Sequence, residues 1–133
     1  MEWAGSILVV DDERETREMI VELLREEGVE ARPAGSVDEA LETLRQGRFE
    51  AVLSDIQMPG KDGFTLIREL RQRGAAIPVI LMTSFGTEET AHEAAGAGAF
   101  DCLLKPFARS ALLESGHRAF DARAEVDDPV TCP

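Results

Sequence analysis

Four short, mainly apolar runs and one weaker stretch confine this chain to repeated strand–helix units: Ile7 to Val10, Ala51 to Ser54, Pro78 to Met82 and Phe100 to Leu104, with Val29 to Pro33 as the weak one, each followed by a longer amphipathic stretch. Strands this short that are apolar on both faces suit a parallel sheet covered on both sides, and each crossover between parallel neighbours needs a helix. The pattern predicts an α/β, doubly wound, five-stranded parallel sheet with five flanking helices.

The helical stretches carry their own punctuation. Helix one, about Glu13 to Glu27, places Met19, Ile20, Leu23 and Leu24 at helical spacing before Gly28 stops it. Helix two has Ser36 as N-cap with Glu39 three residues on, a capping box ahead of Ala40, Leu41 and Leu44, and ends at Gly47. Asp62 caps helix three, whose buried side holds Phe64, Leu66, Ile67 and Leu70 before Gly74. Helix four, about Thr87 to Ala97, is rich in Ala and Gly and has few large anchors, which makes it the candidate mobile element. Helix five runs from about Arg109 to Ala122 with Leu112, Leu113, Ala119 and Phe120, weakened by Gly116. One domain over residues 1–124 is expected, and the stretch 125–133, with two prolines and three acids, is expected to be a disordered tail.

At 133 residues and 44% hydrophobic content, the chain can bury a core without metal or disulfide staples. Its 26 acids against 14 bases give a net charge of −12, which cannot supply the cationic surface that a phosphate backbone needs, so direct nucleic-acid contact by this domain is not expected. No apolar run reaches the roughly 18 residues needed to span a bilayer, and the N-terminus lacks a secretory pattern; no membrane association and a cytoplasmic location are expected. The two cysteines, Cys102 and Cys132, have no metal-ligand spacing and are expected to be free thiols. Trp3 is expected at the edge of the sheet opposite the acids.

Chemistry gathers at the strand ends. Asp11 and Asp12 close the first run, Asp55 the third, Thr83 and Ser84 the fourth, and Lys105 follows the fifth. Ligands of open parallel sheets sit beyond the carboxyl ends of the strands where the strand order reverses. In the order 2-1-3-4-5 that reversal lies between strands one and three, the strands that carry the acids. Two carboxylates about 4 Å apart repel by roughly 4 kcal/mol at an effective dielectric near 20, so this cluster calls for a cation. An all-oxygen donor set favours Mg²⁺ or Mn²⁺ over Zn²⁺. With the metal and Lys105 spreading the charge of a phosphoryl group, Asp55 becomes the candidate nucleophile and an aspartyl phosphate the product. Thr83 and the Ser84 main-chain N–H would bind the new phosphoryl oxygens.

The blander readings are that Asp11 and Asp12 cap helix one, that Thr83 and Ser84 form a helix-initiating turn, that Lys105 is solvated, and that Cys102 is a packed core residue rather than a redox sensor. His92 and His117 have no metal-compatible partners and are not expected to be phosphodonors.

Taken together, Val9-Val10-Asp11-Asp12-Glu13, Asp55-Ile56-Gln57-Met58-Pro59-Gly60, Met82-Thr83-Ser84 and Lys105-Pro106-Phe107 resemble the receiver domains of two-component response regulators over about residues 6 to 122, with features similar to the nitrogen-regulator type. The resemblance implies the flavodoxin-like fold and a phosphorylation switch that is not an enzyme toward other substrates, catalysing only its own phosphotransfer and dephosphorylation. It implies direct Mg²⁺ ligation by Asp12, Asp55 and the Gln57 carbonyl, with Asp11 acting largely through water, and a cis peptide between Lys105 and Pro106. The implied partners are a sensor histidine kinase or phosphotransfer protein, and downstream a separate protein or an output domain, with a phosphorylation-dependent dimer as a further expectation.

The chain departs from the family pattern in two respects. Cys102 stands three residues before the lysine, at the switch position where the family usually has an aromatic, which puts the usual readout through helix four, strand five and helix five in question. Gln57 and Phe85 flank the expected path of the hydrolytic water, and Phe85 is expected to lengthen the acyl phosphate's lifetime. Two rivals remain. A haloacid dehalogenase-type phosphatase also attacks phosphate from a strand-end Asp, but usually has a second Asp where Gln57 stands and carries a cap domain absent from this sequence. The other rival is a receiver-like module that binds a partner independently of phosphorylation.

Overall fold

The computed structural model describes residues 6–127, with 123–127 described through their backbone. Five strands and five helices alternate: β1 (Ser6–Val10), α1 (Arg14–Glu26), β2 (Glu30–Ala34), α2 (Val37–Gln46), β3 (Ala51–Asp55), α3 (Gly63–Gln72), β4 (Val79–Thr83), α4 (Glu88–Ala97), β5 (Asp101–Leu104) and α5 (Arg109–Asp127). The strands form one parallel sheet in the order β2-β1-β3-β4-β5. Parallel crossovers are right-handed, so reversing direction along the sheet moves the connecting helix to the other face. Accordingly Ile20 and Leu24 of α1 and Leu112 and Ala119 of α5 pack with Ile7, Val9, Leu53 and Met82 on one face. Leu41 of α2, Leu66 and Ile67 of α3 and Ala94 of α4 pack with Leu8, Val10, Val52 and Leu81 on the other.

β1, β3 and β4 are buried at every position, as apolar strands between two helical layers must be. β2 lies at an edge and tolerates Pro33 there, because an edge strand has an unpaired N–H side. The predicted caps form. Ser36 Oγ accepts from Glu39 N–H at 3.1 Å, and Asp62 Oδ1 accepts from both the Thr65 N–H and hydroxyl at 2.9 Å. The reciprocal arm of the Ser36 box differs from the usual form: Glu39 Oε2 reaches back to the N–H of Gly35, not of Ser36.

Two helical expectations change. Met19 is 61% exposed, while Val21 is buried with Ile20 and Leu24, so the buried stripe of α1 is rotated away from Met19. Helix α5 continues through the buried Gly116 to Asp127, five residues past the expected end at Ala122. Arg123, Ala124 and Glu125 are good helix formers, and no proline interrupts the chain before Pro129. The rest of the expected tail, together with Trp3 and Cys132, lies outside the described residues.

Candidate functional site

The strand ladders carry the site residues to one edge. Beyond the last β1 residue, Asp11 N–H donates to Ala34 O at 3.1 Å; beyond β3, Ile56 N–H donates to Met82 O at 2.9 Å; beyond β5, Lys105 N–H donates to Thr83 O at 2.7 Å. Sheet pairing thus continues to the residues that carry the chemistry and fixes their main chain. The Lys105 ammonium then bridges Asp11 Oδ2 and Asp55 Oδ2, 3.1 Å from each. Asp11 is fully buried, Asp55 nearly so, and Asp12 is exposed at the rim. Asp11, Asp12 and Asp55 each offer an oxygen within 4.8 Å of the others.

Burial pushes the Asp55 carboxyl above its ordinary value of 3.8, against the lowering effect of the Lys105 hydrogen bond and charge, while Asp11 pushes it up further. Burial pulls the Lys105 ammonium down, but its bonds to Asp55 and Asp11 outweigh that and leave it above 10.5. The two rises differ in cause: burial, helped by the neighbouring Asp11 charge, dominates at Asp55, whereas two carboxylates on one ammonium outweigh burial at Lys105. One cation against three carboxylates leaves two negative charges uncompensated, and the donors are hard oxygens at short mutual distance. The site therefore fits a divalent, oxygen-preferring metal ion.

Thr83 is buried at the end of β4, and its Oγ1 accepts from the Phe85 N–H at 3.0 Å; Ser84 and Phe85 are exposed. The hydroxyl thus holds the turn into α4 in this state, as the plainer of the two sequence readings has it. Gln57 is exposed, and its N–H donates to Asp55 Oδ1 at 3.3 Å. The Lys105–Pro106 peptide is cis. A groove of about 320 Å³ opens beside Lys105, lined by Thr16, Met19, Ile20, Ser84, Pro106 and Phe107.

Cys102 stands apart from the acids. It packs, half-buried, against the α2–α3–α4 face of the core, and its thiol is pushed above 9.0 by burial and by the Asp101 charge. A protonated thiol in such surroundings is a poor nucleophile.

Two residues of the site were not singled out from the sequence. Gly63 opens α3, where a Cβ would fall 2.7 Å from the Asp55 carbonyl oxygen and 3.1 Å from Ile56 Cα, so only glycine lets the helix start this close to the end of β3. A glycine at the first position of a helix, where it is a weak former, was the available signal. Arg17 donates from Nη1 to the Asp11 carbonyl oxygen at 2.7 Å; a helix side chain reaching back six residues leaves no sequence signal.

A doubly wound sheet with an acid triad and a lysine at its switch point defines a class of receiver-type α/β protein, and comparison with known proteins agrees. The chain belongs to the response regulator receiver domain family, whose model matches residues 7–116. The response regulator protein FleR of Pseudomonas aeruginosa is 40% identical over 111 residues, 84% of this chain and 24% of FleR. The C4-dicarboxylate transport transcriptional regulatory protein DctD of Rhizobium meliloti is 36% identical over 126 residues, 95% of this chain and 27% of DctD. Among solved structures, the chemotaxis protein CheY4 of Vibrio cholerae superposes with a TM-score of 0.82 at 29% identity, covering 88% of this chain and 99% of that one. NtrX of Brucella abortus superposes with a TM-score of 0.84 at 34% identity, covering 91% of this chain and 28% of NtrX, in keeping with the nitrogen-regulator resemblance. The chain thus spans about a quarter of the length of the curated relatives it matches. No helix among the described residues is long and apolar enough to cross a membrane.

Proposed function

We propose that this domain is a Mg²⁺-dependent phosphoacceptor that takes a phosphoryl group from a phosphohistidine onto Asp55 and then hydrolyses it, acting as a switch in two-component signalling. The observation that carries the reading is the Lys105 ammonium held 3.1 Å from both Asp11 and Asp55, with the Asp12 carboxylate in the same cluster. In the transfer, an Asp55 carboxylate oxygen forms the new O–P bond while the N–P bond of the donor breaks, its electron pair leaving on the imidazole nitrogen. The transition state is loose and highly charged, so positioning and electrostatics are most of what the protein supplies. Asp12, Asp55 and the Gln57 main-chain carbonyl would hold Mg²⁺, with Asp11 engaging it largely through water; when bound, the ion offsets the charge of the acids and of the phosphoryl oxygens.

Lys105 binds a phosphoryl oxygen in the product. The Thr83 hydroxyl exchanges its bond from the Phe85 N–H for another phosphoryl oxygen, and the Ser84 N–H donates to a third. That exchange frees the Phe85 N–H and shifts the loop before α4, which is the conformational signal. The protein turns over no separate substrate; its chemistry is its own phosphorylation and dephosphorylation. The same reading gives the partners: a histidine kinase or phosphotransfer protein as donor, and downstream an output domain or separate protein, with phosphorylation-driven dimerisation, in the cytoplasm.

The packed Cys102 favours one alternative, a receiver-like module that binds its partner independently of phosphate, because a small side chain in that position cannot swing between buried and exposed sites. Intact mass after incubation with acetyl phosphate separates the two. One added phosphoryl group that requires both Mg²⁺ and Asp55, and is lost in Asp55→Asn, supports the switch. No adduct, together with an amide spectrum unmoved by beryllofluoride and Mg²⁺, refutes it in favour of the constitutive module.

A further inference from the structure

Asp11 is gripped at every polar handle it has. Its N–H donates to Ala34 O, its Oδ1 accepts from the Glu13 N–H at 2.9 Å, its Oδ2 accepts from Lys105, and its carbonyl oxygen accepts from Arg17 Nη1. The last contact differs in kind from the others. The carbonyl of Asp11 belongs to the peptide that joins Asp11 to Asp12, and that peptide is planar, so a donor fixing the C=O fixes the plane on which both acid side chains are hung. Arg17 approaches from the end of the first turn of α1, its side chain directed back toward the helix N-terminus as helical side chains are.

Space for the guanidinium comes from the residue just after β2. A Cβ at Gly35 would lie 3.2 Å from Arg17 Nη1 and 3.5 Å from Glu39 Oε2, which itself accepts from the Gly35 N–H. Gly35 does not carry a left-handed backbone, so what a side chain there would disturb is the guanidinium, which would have to give by a few tenths of an ångström.

We propose that Arg17 is a positioning residue of the acidic site: by holding the Asp11–Asp12 peptide through the space left at Gly35, it keeps the Asp11 and Asp12 carboxylates converged with Asp55 for a divalent cation. The inference rests on the Mg²⁺-dependent reading above. It has a competitor of opposite sign. As a bare positive charge near the acids, Arg17 would repel the cation, and removing it would tighten binding; as a positioning group, its removal weakens binding.

The test is a Mg²⁺ titration followed by backbone amide chemical shifts on the full chain, for wild type, Arg17→Met, Arg17→Lys and Gly35→Ala. Loss of an outer contact that orients metal ligands typically costs 10–100-fold in affinity. The expected result is about a tenfold weaker Mg²⁺ affinity in Arg17→Met, a partial recovery in Arg17→Lys, which keeps a donor, and a smaller loss in Gly35→Ala, which crowds the guanidinium without removing it. Unchanged or tighter binding in Arg17→Met overturns the proposal. So does a lowered melting temperature with unaltered affinity in the folded protein, which marks a purely structural role. Should Arg17→Met fail to fold, Gly35→Ala decides alone, and unchanged affinity there overturns the proposal. If wild type itself binds no Mg²⁺, the phosphoacceptor reading has failed and this inference falls with it, an outcome distinct from wild-type binding that the variants leave untouched.

Discussion

Neutralising Asp12 is expected to stabilise the metal-free protein. Asp12 is exposed, accepts no side-chain hydrogen bond from any described residue, and offers an oxygen within 4.8 Å of those of Asp11 and Asp55. At that separation each like-charge pair is worth about 3.5 kcal/mol at an effective dielectric near 20, and about 1 kcal/mol at the dielectric of water. The exposure of Asp12 draws the value toward the lower figure, and the Lys105 charge offsets part of it. Asp12→Asn, which keeps the shape, should therefore gain about 1–2 kcal/mol, equivalent to a rise of roughly 2–8 °C in melting temperature for a domain of this size.

The assay is thermal and urea unfolding at low ionic strength, in EDTA and again in saturating Mg²⁺. Wild type should gain about 2.7 kcal/mol from Mg²⁺ at 100 times its dissociation constant, and the variant less, having lost part of the charge that attracts the ion. Salt near 1 M, where the screening length is about 3 Å, should erase most of the variant's advantage in EDTA. An Asp12→Asn protein that melts at or below wild type in EDTA, or gains as much from Mg²⁺, would refute the electrostatic account of this site.

Other expectations follow from the same geometry. Gly63→Ala should cost about 1–3 kcal/mol in urea unfolding and slow phosphorylation, since its Cβ meets the main chain of Asp55 and Ile56, which cannot yield as the Leu81 side-chain tip can. Because the folded state holds the Lys105 proton above 10.5, its contribution to stability is complete below that pH and is lost as pH rises through the raised value; Lys105→Met should flatten the alkaline limb of a stability–pH curve. Cys102, in a Cys132→Ser background, should react with iodoacetamide far more slowly in native protein than in urea, given its burial and raised thiol. Phe85→Ala should hasten loss of the acyl phosphate, measured by mass over time, as the exposed ring two residues past Thr83 no longer screens the phosphoryl group from water; an unchanged rate removes that role.

Much of this was legible in the residues because it is local. Runs of apolar residues set the strands, Ser36 and Asp62 announce the helices they cap, and an acid or lysine directly after a strand must emerge at the sheet's carboxyl edge whatever the rest of the chain does. The strand order was expected from the resemblance to receiver domains, since right-handed crossovers with two covered faces leave more than one order open. What the tertiary structure decided are contacts between parts of the chain far apart or out of phase. Lys105 meets acids 50 and 94 residues away, and only closed packing sets both distances at 3.1 Å. The rotation of α1 that exposes Met19 follows from how the helix seats on the sheet, because its apolar residues alone permit more than one phase. The reach of Arg17 to the Asp11 carbonyl and the absence of any room for a side chain at Gly63 belong to the same category. Composition and spacing determine which groups arrive at the site; the register of the strands and the seating of the helices on them determine which of them touch.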